Sequence, residues 1–432
     1  MIVVLSQGCA ANFGDGEKIA RILSKKTEVS FEFPETSVAT PAQLEAFYLN
    51  VCTVKGNAGA IKLLRKAANT SPNVPIYITG CAPKDFREEA IKAVPRVQFT
   101  SLKELEASTL SSSTEAIKSR SHNVLRESPF VGIVNIEEGC LDACAFCSTH
   151  LVKGRLHSFA PNAIVNQVQA LVDDGCLEIQ LTGQDCACYG FDIGTNLAEL
   201  TQRILTHVNG NYRIRLGMGN PRHVLGYQEA LLDCFTDERV YKFIHIPVQS
   251  GSENVLKAMN RRHTARDYAT LAHAFTERFS KFTLSTDLIV GYPGETAADF
   301  NDTLELLKET RPTVCNITRF VARPGTVAAH LESATSSTQH ASANLAVPDT
   351  VKHERSTTLA ETFQQIALEN NREWIGDECT VITEKPGYRS GTTIARNTAY
   401  RPVAIQGSFP AGQTLGVRIT DAEPFALIAK PL

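Results

Sequence analysis

Cys140, Cys144 and Cys147 form a Cys-x3-Cys-x2-Cys triplet in the run Gly139-Cys-Leu-Asp-Ala-Cys-Ala-Phe-Cys-Ser148, just after an apolar, strand-like stretch. Three thiolates with no fourth cysteine at a fitting spacing suit a 4Fe–4S cluster that keeps one iron open. An open iron can bind a small molecule and deliver an electron to it. Zinc is the competing reading. Structural zinc sites close four ligands, as paired cysteines or a Cys/His mixture, and His150 lies just beyond Cys147. The triplet, however, lacks a second paired half. Disulfides fit less well. The chain opens Met1-Ile-Val-Val-Leu5, already in a strand pattern, without the charged start of a secretory leader. A cytoplasmic, reducing setting is therefore expected, where clustered cysteines act as metal ligands or catalytic groups.

Such a triplet needs elements to hold it. A length of 432 residues implies two or three domains with ample core. The 43% hydrophobic and 21% charged fractions are those of an ordinary globular protein. No apolar run approaches the roughly 18 residues of a membrane span, so no membrane partner is expected. The net charge of −3 gives no global nucleic-acid signature, and a polyanion would have to meet local patches.

Residues 1–107 alternate short β runs (2–5, 47–51, 76–79) with helical stretches (15–23, 58–68, 84–93), an α/β pattern with a parallel sheet. Residues 108–125 have a linker's Ser/Thr-rich composition. Residues 126–365 repeat the alternation, with strands near 131–136, 178–181, 213–217, 241–246, 283–289 and 314–319. Helices fit at 162–174, 197–207, 223–235, 253–259, 265–279 and 297–309. Six βα units read as a partial, open barrel, in which active groups gather at the carboxyl ends of the strands. The triplet follows the first of them. A second Ser/Thr-rich run, 333–343, precedes the charged, helix-prone stretch 351–371, and residues 366–432 read as a small all-β module.

Three further cysteines, Cys9, Cys52 and Cys81, each follow a β run of the first segment. Loops at one edge of a parallel sheet converge, so these thiols can meet and hold a second cluster, again one ligand short. Equally, free cysteines are among the most buried residues, and three core thiols are the plain alternative. Cys176, Cys234, Cys315 and Cys379 fall on helix or strand patterns and read as core. Cys186 and Cys188, in Asp185-Cys-Ala-Cys-Tyr189, follow a strand end and face the expected rim; they read as core or rim thiols, with an accessory sulfur or metal role as the alternative.

Taken together, these blocks resemble the radical S-adenosylmethionine (SAM) methylthiotransferases, over nearly the whole chain. The N-terminal marks are Gly8-Cys9-Ala-Ala-Asn12, Asn50-Val-Cys52-Thr-Val and Thr79-Gly80-Cys81. Those of the core are Leu181-Thr-Gly-Gln-Asp185, Pro247-Val-Gln-Ser-Gly-Ser252, Met259-Asn-Arg-Arg262, Thr286-Asp-Leu-Ile-Val-Gly-Tyr-Pro-Gly-Glu-Thr296 and Arg323-Pro-Gly-Thr326. The resemblance implies a flavodoxin-like N-terminal domain, a partial (β/α)6 radical SAM barrel and a C-terminal TRAM domain. It also implies two 4Fe–4S clusters, held by Cys140, Cys144 and Cys147 and by Cys9, Cys52 and Cys81. The first would cleave SAM to a 5′-deoxyadenosyl radical that abstracts hydrogen. The second would supply sulfur at that carbon, and a second SAM the methyl group. No catalytic histidine or carboxylate is expected, and His150, His157, His223 and His245 read as packing or hydrogen-bonding residues.

SAM itself would be held at strand ends by Gln184 and Asp185, by Gln249, Ser250 and Gly251, and by Gly291 and Gly294. Glycine there lets the main chain approach a ligand, although each is also an ordinary turn residue. Glu295 reads as a helix cap. The acceptor implied by the family is an adenosine at position 37 of tRNA or an aspartate of a ribosomal protein. A TRAM-like tail points to RNA, with Tyr388, Arg389, Arg396, Tyr400 and Arg401 as its aromatic and basic groups. The patch around Arg261 and Arg262, with Arg319 and Arg323, is placed to meet phosphate or a charged nucleoside. The compact N-terminus and Val351-Lys-His-Glu-Arg-Ser356 look most like the archaeal and eukaryotic branch, which acts on N6-threonylcarbamoyladenosine. Lys153-Gly154-Arg155-Leu156, Phe146 and Gly217-Met-Gly-Asn-Pro221 depart from the family's usual residues. The partners would be tRNA, an electron donor and a sulfur source. A different class stays open beside it, a non-catalytic iron–sulfur or zinc protein that binds RNA.

Overall fold

Runs of β-branched and aliphatic residues with no polar alternation build strands buried on both faces, the mark of a parallel sheet. Ile2–Ser6, Ala46–Cys52 and Ile76–Cys81 are such runs. They pair in parallel at the centre of a five-stranded sheet edged by Val29–Ser30 and Gln98–Phe99. Numbered along the chain, the order is 2-1-3-4-5, that of flavodoxin-like sheets. The helices Ala10–Leu23, Ala58–Thr70 and Lys84–Ala93 accompany it. The computed structural model describes residues 1–33, 44–52, 57–110, 125–333 and 345–432. The helix Leu102–Leu110 runs into the stretch read as linker, and the greater part of that stretch lies outside the described residues, as does most of 333–343.

The central segment has two runs of three parallel strands. Val131–Asn135, Glu178–Thr182 and Arg213–Leu216 lie side by side, as do Phe243–His245, Thr283–Val290 and Val314–Arg319. A lone parallel bridge between Ile214 and Val240 joins them into the partial barrel. Its helices start where the sequence provides caps: Thr264 with Asp267 and Thr296 with Asp299 each form a capping box. Glu295 is therefore not the cap. Its carboxylate instead accepts the Gly291 and Tyr292 amides and pairs with Arg355 at 3.1 Å. The helix read at 223–235 is broken into Pro221–Val224, a 3-10 turn Leu225–Tyr227 and Gln228–Cys234. Gly226 stands at the break, where it weakens a continuous helix.

The helix Asp349–Arg372 leads to a closed five-stranded barrel formed by Glu378–Pro386, Thr392–Asn397, Pro402–Gln406, Thr414–Glu423 and Ala426–Pro431. This module sits on the amino-terminal mouth of the large barrel. Tyr400 donates its hydroxyl to Glu178 at 2.9 Å, and the Lys242 amide donates to the Thr398 carbonyl at 2.9 Å. Arg401 donates to the Phe282 carbonyl at 3.3 Å and to Thr313 Oγ1 at 3.2 Å, bonds Asn371, and lies 5.4 Å over the Trp374 ring. Glu178, Lys242, Phe282 and Thr313 all stand at or just before strand starts. Arg401 is thus a correction to the sequence reading: at 5% exposure it is a latch between domains and cannot meet RNA. The same holds for Tyr400, whose hydroxyl is spent on Glu178.

The N-terminal sheet docks on the opposite side through the Ala10–Leu23 helix. Asp15 accepts from Asn135 Nδ2 and from Lys153 Nζ, both at 2.8 Å. Two residues on, Glu17 is buried beside the Glu127 amide, and burial raises its pKa from 4.5 to about 7.

Removing the Arg401 side chain takes the donor from Asn371 Oδ1 and from two strand-start acceptors in a buried interface. Arg401→Ala should cost about 2–4 kcal/mol and make limited proteolysis release the C-terminal module, while Arg389→Ala behaves as the parent. Equal melting of Arg401→Ala and parent would sink the latch. Glu17 has a folded pKa above its unfolded one, so stability falls as pH climbs from 4.5 to about 7 and is flat beyond. Glu17→Gln should therefore melt higher than the parent at pH 8, on the order of 1–3 kcal/mol, with the gap closing by pH 4.5.

Candidate metal and substrate site

Both cysteine sets occupy carboxyl ends of parallel strands. In the N-terminal sheet Cys52 and Cys81 are register partners at the ends of neighbouring strands, and Cys9 opens the Ala10–Leu23 helix. Gly8 has φ +115°, and a Cβ there would lie 2.2 Å from that of Cys52, so only glycine lets these loops close. Cys9 feels the charge of Cys52, and Cys81 that of Cys52 and Cys9. Burial raises Cys9, and it pushes Cys81 up to about 12 against the pull of Lys153. Such thiols keep their protons until a metal neutralises the thiolate. Behind them Asn12 donates to the carbonyls of Gln7 and Asn50, and Asn50 returns a bond to Asn12. The Oδ1 atoms of both asparagines are buried without partners, beside Gly80.

The triplet loop is fixed along its length. Gly139, at φ +85°, passes so close to the Arg155 carbonyl that a Cβ would sit 2.1 Å from it. The Gly139 amide donates to Gln184 Oε1 at 2.7 Å, and the Cys140 amide to the Gly154 carbonyl at 3.2 Å. Further on, Ala145 donates to Met259 and Asn260 Nδ2 to the Ala143 carbonyl. Asp142, between the first two cysteines, is the main clamp. It accepts from Asn220 Nδ2 at 2.6 Å and Arg222 Nη1 at 2.6 Å, and meets His223 Nε2 at 3.0 Å. Burial opposes its charge, but the hydrogen bond and charge of His223, then Arg222, outweigh it and lower its pKa. The ligand sulfurs are also solvated by the protein: Asp142 N lies 3.4 Å from Cys140 Sγ and Arg261 Nη1 3.5 Å from Cys144 Sγ. Donors to ligand sulfur help set the potential of an iron–sulfur centre.

The donor set discriminates between metals. A single zinc ion draws its ligands to one point, whereas a cubane spreads three thiolates over three irons. Among the described residues, two groups of three ligand atoms converge within 4.8 Å, and neither holds two cysteines of one set or His150. Neither set closes on one point with a fourth ligand as a tetrahedral zinc requires, and three thiols apiece match a cluster that keeps one iron open.

The two sets are linked by Lys153. Its ammonium pairs with Asp15 at 2.8 Å and Glu138 at 3.5 Å, and its charge reaches Cys81. Sequence reading noted Lys153 only as a departure. Its place on the short helix after the triplet was legible, its partner Asp15 from another domain was not.

The residues expected to hold SAM fall into two kinds. Gln184 ends a barrel strand and orients the cysteine loop. Gln249 has φ +77° although it is not glycine, and its main chain bridges Asp287 and Ile289; such a strained conformation marks functional turns. The others have structural partners. Asp185 is buried, accepts from the Ala187 and Asn220 amides, and keeps its Oδ2 unpartnered near His223 at 3.7 Å. Ser250 faces Thr303. A Cβ on Gly251 would strike the Asp302 carbonyl at 2.5 Å, and one on Gly291 would strike Lys352. These two glycines answer to helix packing, whatever else they touch. Gly294 turns at φ +86°, and a Cβ there would make ordinary contact with Leu345 at 3.5 Å. Of the basic residues, Arg261 points at Cys144 and the Pro247 carbonyl, Arg262 is exposed, Arg323 is half-buried, and Arg389 is exposed and paired with Glu423 at 2.6 Å. Asp142, Asn220 and Arg222 escaped the sequence reading. A carboxylate between two metal cysteines and an Asn-Pro helix start were the available signals.

The Radical SAM superfamily model matches residues 134–307, that of Uncharacterized protein family UPF0004 residues 1–101, and that of the TRAM domain residues 372–432. A probable threonylcarbamoyladenosine tRNA methylthiotransferase of Pyrococcus horikoshii is 35% identical over 419 residues, spanning 94% of this chain and 93% of that protein. This chain belongs to the threonylcarbamoyladenosine tRNA methylthiotransferase family. The human threonylcarbamoyladenosine tRNA methylthiotransferase is 30% identical across 94% of this chain and 69% of its own length. A solved radical SAM methyltransferase, TsrM of Kitasatospora setae, shares the fold with a TM-score of 0.54 at 12% identity, over 77% of this chain and 78% of that one. Radical SAM proteins use SAM and a 4Fe–4S cluster, and the methylthiotransferases a second cluster. No helix among the described residues is long and apolar enough to cross a membrane.

Asp142→Ala leaves Asn220, Arg222 and His223 without their shared acceptor and frees the loop. Iron retention at the triplet should weaken about 10- to 100-fold, seen as chelator-driven loss of half the bound iron, with the N-terminal half retained. Parent-like retention would remove Asp142 from the site.

Proposed function

We propose that this chain methylthiolates tRNA, converting N6-threonylcarbamoyladenosine at position 37 to its 2-methylthio derivative. The observation that supports this most directly is the junction at Lys153 and Asp15, where the helix that follows one cysteine set brings its charge to Cys81 of the other. Cys140, Cys144 and Cys147 would hold one cluster, and Cys9, Cys52 and Cys81 the other. With SAM bound, these groups supply hydrogen abstraction, sulfur and a methyl group.

The protein's own share is placement. Gln184 and the Asp142 clamp fix the triplet loop, and Arg261 offers charge to Cys144. Gln249, Ser250 and the Gly291–Gly294 turn line the strand ends where SAM would lie, with Gly251 behind them. Lys153 holds the N-terminal sheet over the barrel mouth, so that the reacting carbon is enclosed between domains and bulk water is kept out. Among the described residues, Arg262 and Arg319 are exposed basic side chains that would meet the phosphate backbone, with Arg323 and the exposed, Glu423-paired Arg389 in the same role. The substrate assignment rests on what the relatives are named for. A reductant and a sulfur donor complete the cycle, in a cytoplasmic setting where thiols stay reduced.

Two substitutions separate the roles. Cys144→Ala should abolish SAM cleavage and all modified nucleoside. Cys52→Ala should keep reductive SAM cleavage and lose sulfur insertion, read as 5′-deoxyadenosine without product. Equal loss of both would make the N-terminal cysteines structural. Nucleoside mass spectrometry of tRNA treated with the reconstituted protein reports the substrate. Unchanged threonylcarbamoyladenosine, with methylthiolation of another adenosine or of a protein aspartate, would overturn the assignment.

A further inference from the structure

Cys188 has no place in the reading above. It lies in the 3-10 turn Cys186–Cys188 at the end of the Glu178–Thr182 strand, and it is fully buried. Its sulfur belongs to one of the two convergent groups in the described structure: Cys140 Sγ, Cys188 Sγ and an Asp185 carboxylate oxygen all lie within 4.8 Å of one another. The Cys188 thiol donates to the Asp185 carbonyl at 3.1 Å, which holds its sulfur beside that of Cys140. Cys140 is half-buried, so a small solute reaches it first, and Cys188 is reachable only behind it. The neighbouring Cys186 faces away, toward the Leu181 carbonyl at 3.8 Å and Gly217.

We propose that Cys188 is a resolving thiol for Cys140, forming with it a reversible disulfide in protein stripped of its triplet metal. The oxidant is a peroxide. Its O–O bond breaks as one oxygen joins Cys140 Sγ, giving a sulfenic acid and one water. The Cys188 sulfur then attacks the Cys140 sulfur. The S–S bond forms, the S–O bond breaks, and the hydroxyl leaves with the Cys188 proton as a second water. A dithiol returns two electrons and two protons and restores both thiols. Closing from a separation within 4.8 Å to the ~2.05 Å of a disulfide needs rotation of two side chains, both on loops at one barrel mouth. The pairing halts oxidation of Cys140 at a recoverable stage, because a sulfenic acid without a nearby thiol goes on to irreversible sulfinic and sulfonic acids.

The test uses the full chain. After chelation of iron under reducing conditions, the protein is treated with hydrogen peroxide, alkylated and mapped by mass spectrometry without reduction. The expected product joins the Cys140 and Cys188 peptides, and dithiothreitol followed by iron and sulfide should return the parent's iron content. In Cys188→Ser and Cys188→Ala the same treatment should leave Cys140 as sulfinic or sulfonic acid, with about half of the iron not recovered. Cys186→Ser should behave as the parent. A Cys140 disulfide to Cys144 or Cys147, a free Cys188 thiol after oxidation, or full iron recovery in both Cys188 variants would each overturn the proposal. The peptide map of the unsubstituted chain decides the case even if a variant folds poorly.

Discussion

One carboxylate ties the two halves of the site together. Asp15, on the first helix of the N-terminal sheet, takes hydrogen bonds from Asn135 at the end of the first barrel strand and from Lys153 after the cysteine triplet. Both domains are parallel sheets, and both put their reactive loops at strand carboxyl ends. Docking fixed elsewhere would leave two unrelated cysteine sets. With Asp15 at the joint, the loop after the triplet is held beside Cys81. The Lys153 charge then serves twice, pairing Asp15 and tempering the pKa of Cys81.

Much of this was legible in the sequence, because the physics that decides it is local. The cysteine spacing, the strand runs and the threonine and aspartate caps depend on neighbours a few residues away. The strand at 314–319 and the helices at 84–93 and 197–207 fall where periodicity puts them. The Gly8 and Gly139 turns were legible as glycines, and their need for positive φ came with the structure. What could not be read was contact across domains. Tyr400 and Arg401 look like an RNA-stacking pair in sequence, since aromatic and basic residues serve that purpose as readily as an interface. Their partners, Glu178, Phe282, Thr313 and Asn371, are remote in the chain. Asp142 shows the same limit inside one domain, where its value depends on a turn at Asn220–His223.

Burial also reshapes the meaning of charge here. Arg401 and Asp142 are costly to desolvate alone, and each is acceptable because several fixed partners surround it. Removing one member strands the others, so these groups specify geometry more than they add stability. Glu295 and Arg355 repeat the device at the Gly291–Gly294 turn. Their pairing connects that turn to the long helix Asp349–Arg372, whose far end bonds the latch through Asn371.

The C-terminal barrel closes the mouth opposite Cys140, which gives the molecule a built-in length. The strand Thr283–Val290 has 8 residues, about 26 Å of chain at about 3.3 Å per residue, and with barrel strands tilted by about 36° the two mouths stand roughly 20 Å apart. A residue on that module never shares a nucleotide with the reacting atom. Whatever RNA it grips is a distant part of the same fold, so the module measures the substrate's reach, and the mouth at Cys140 alone reads its chemistry.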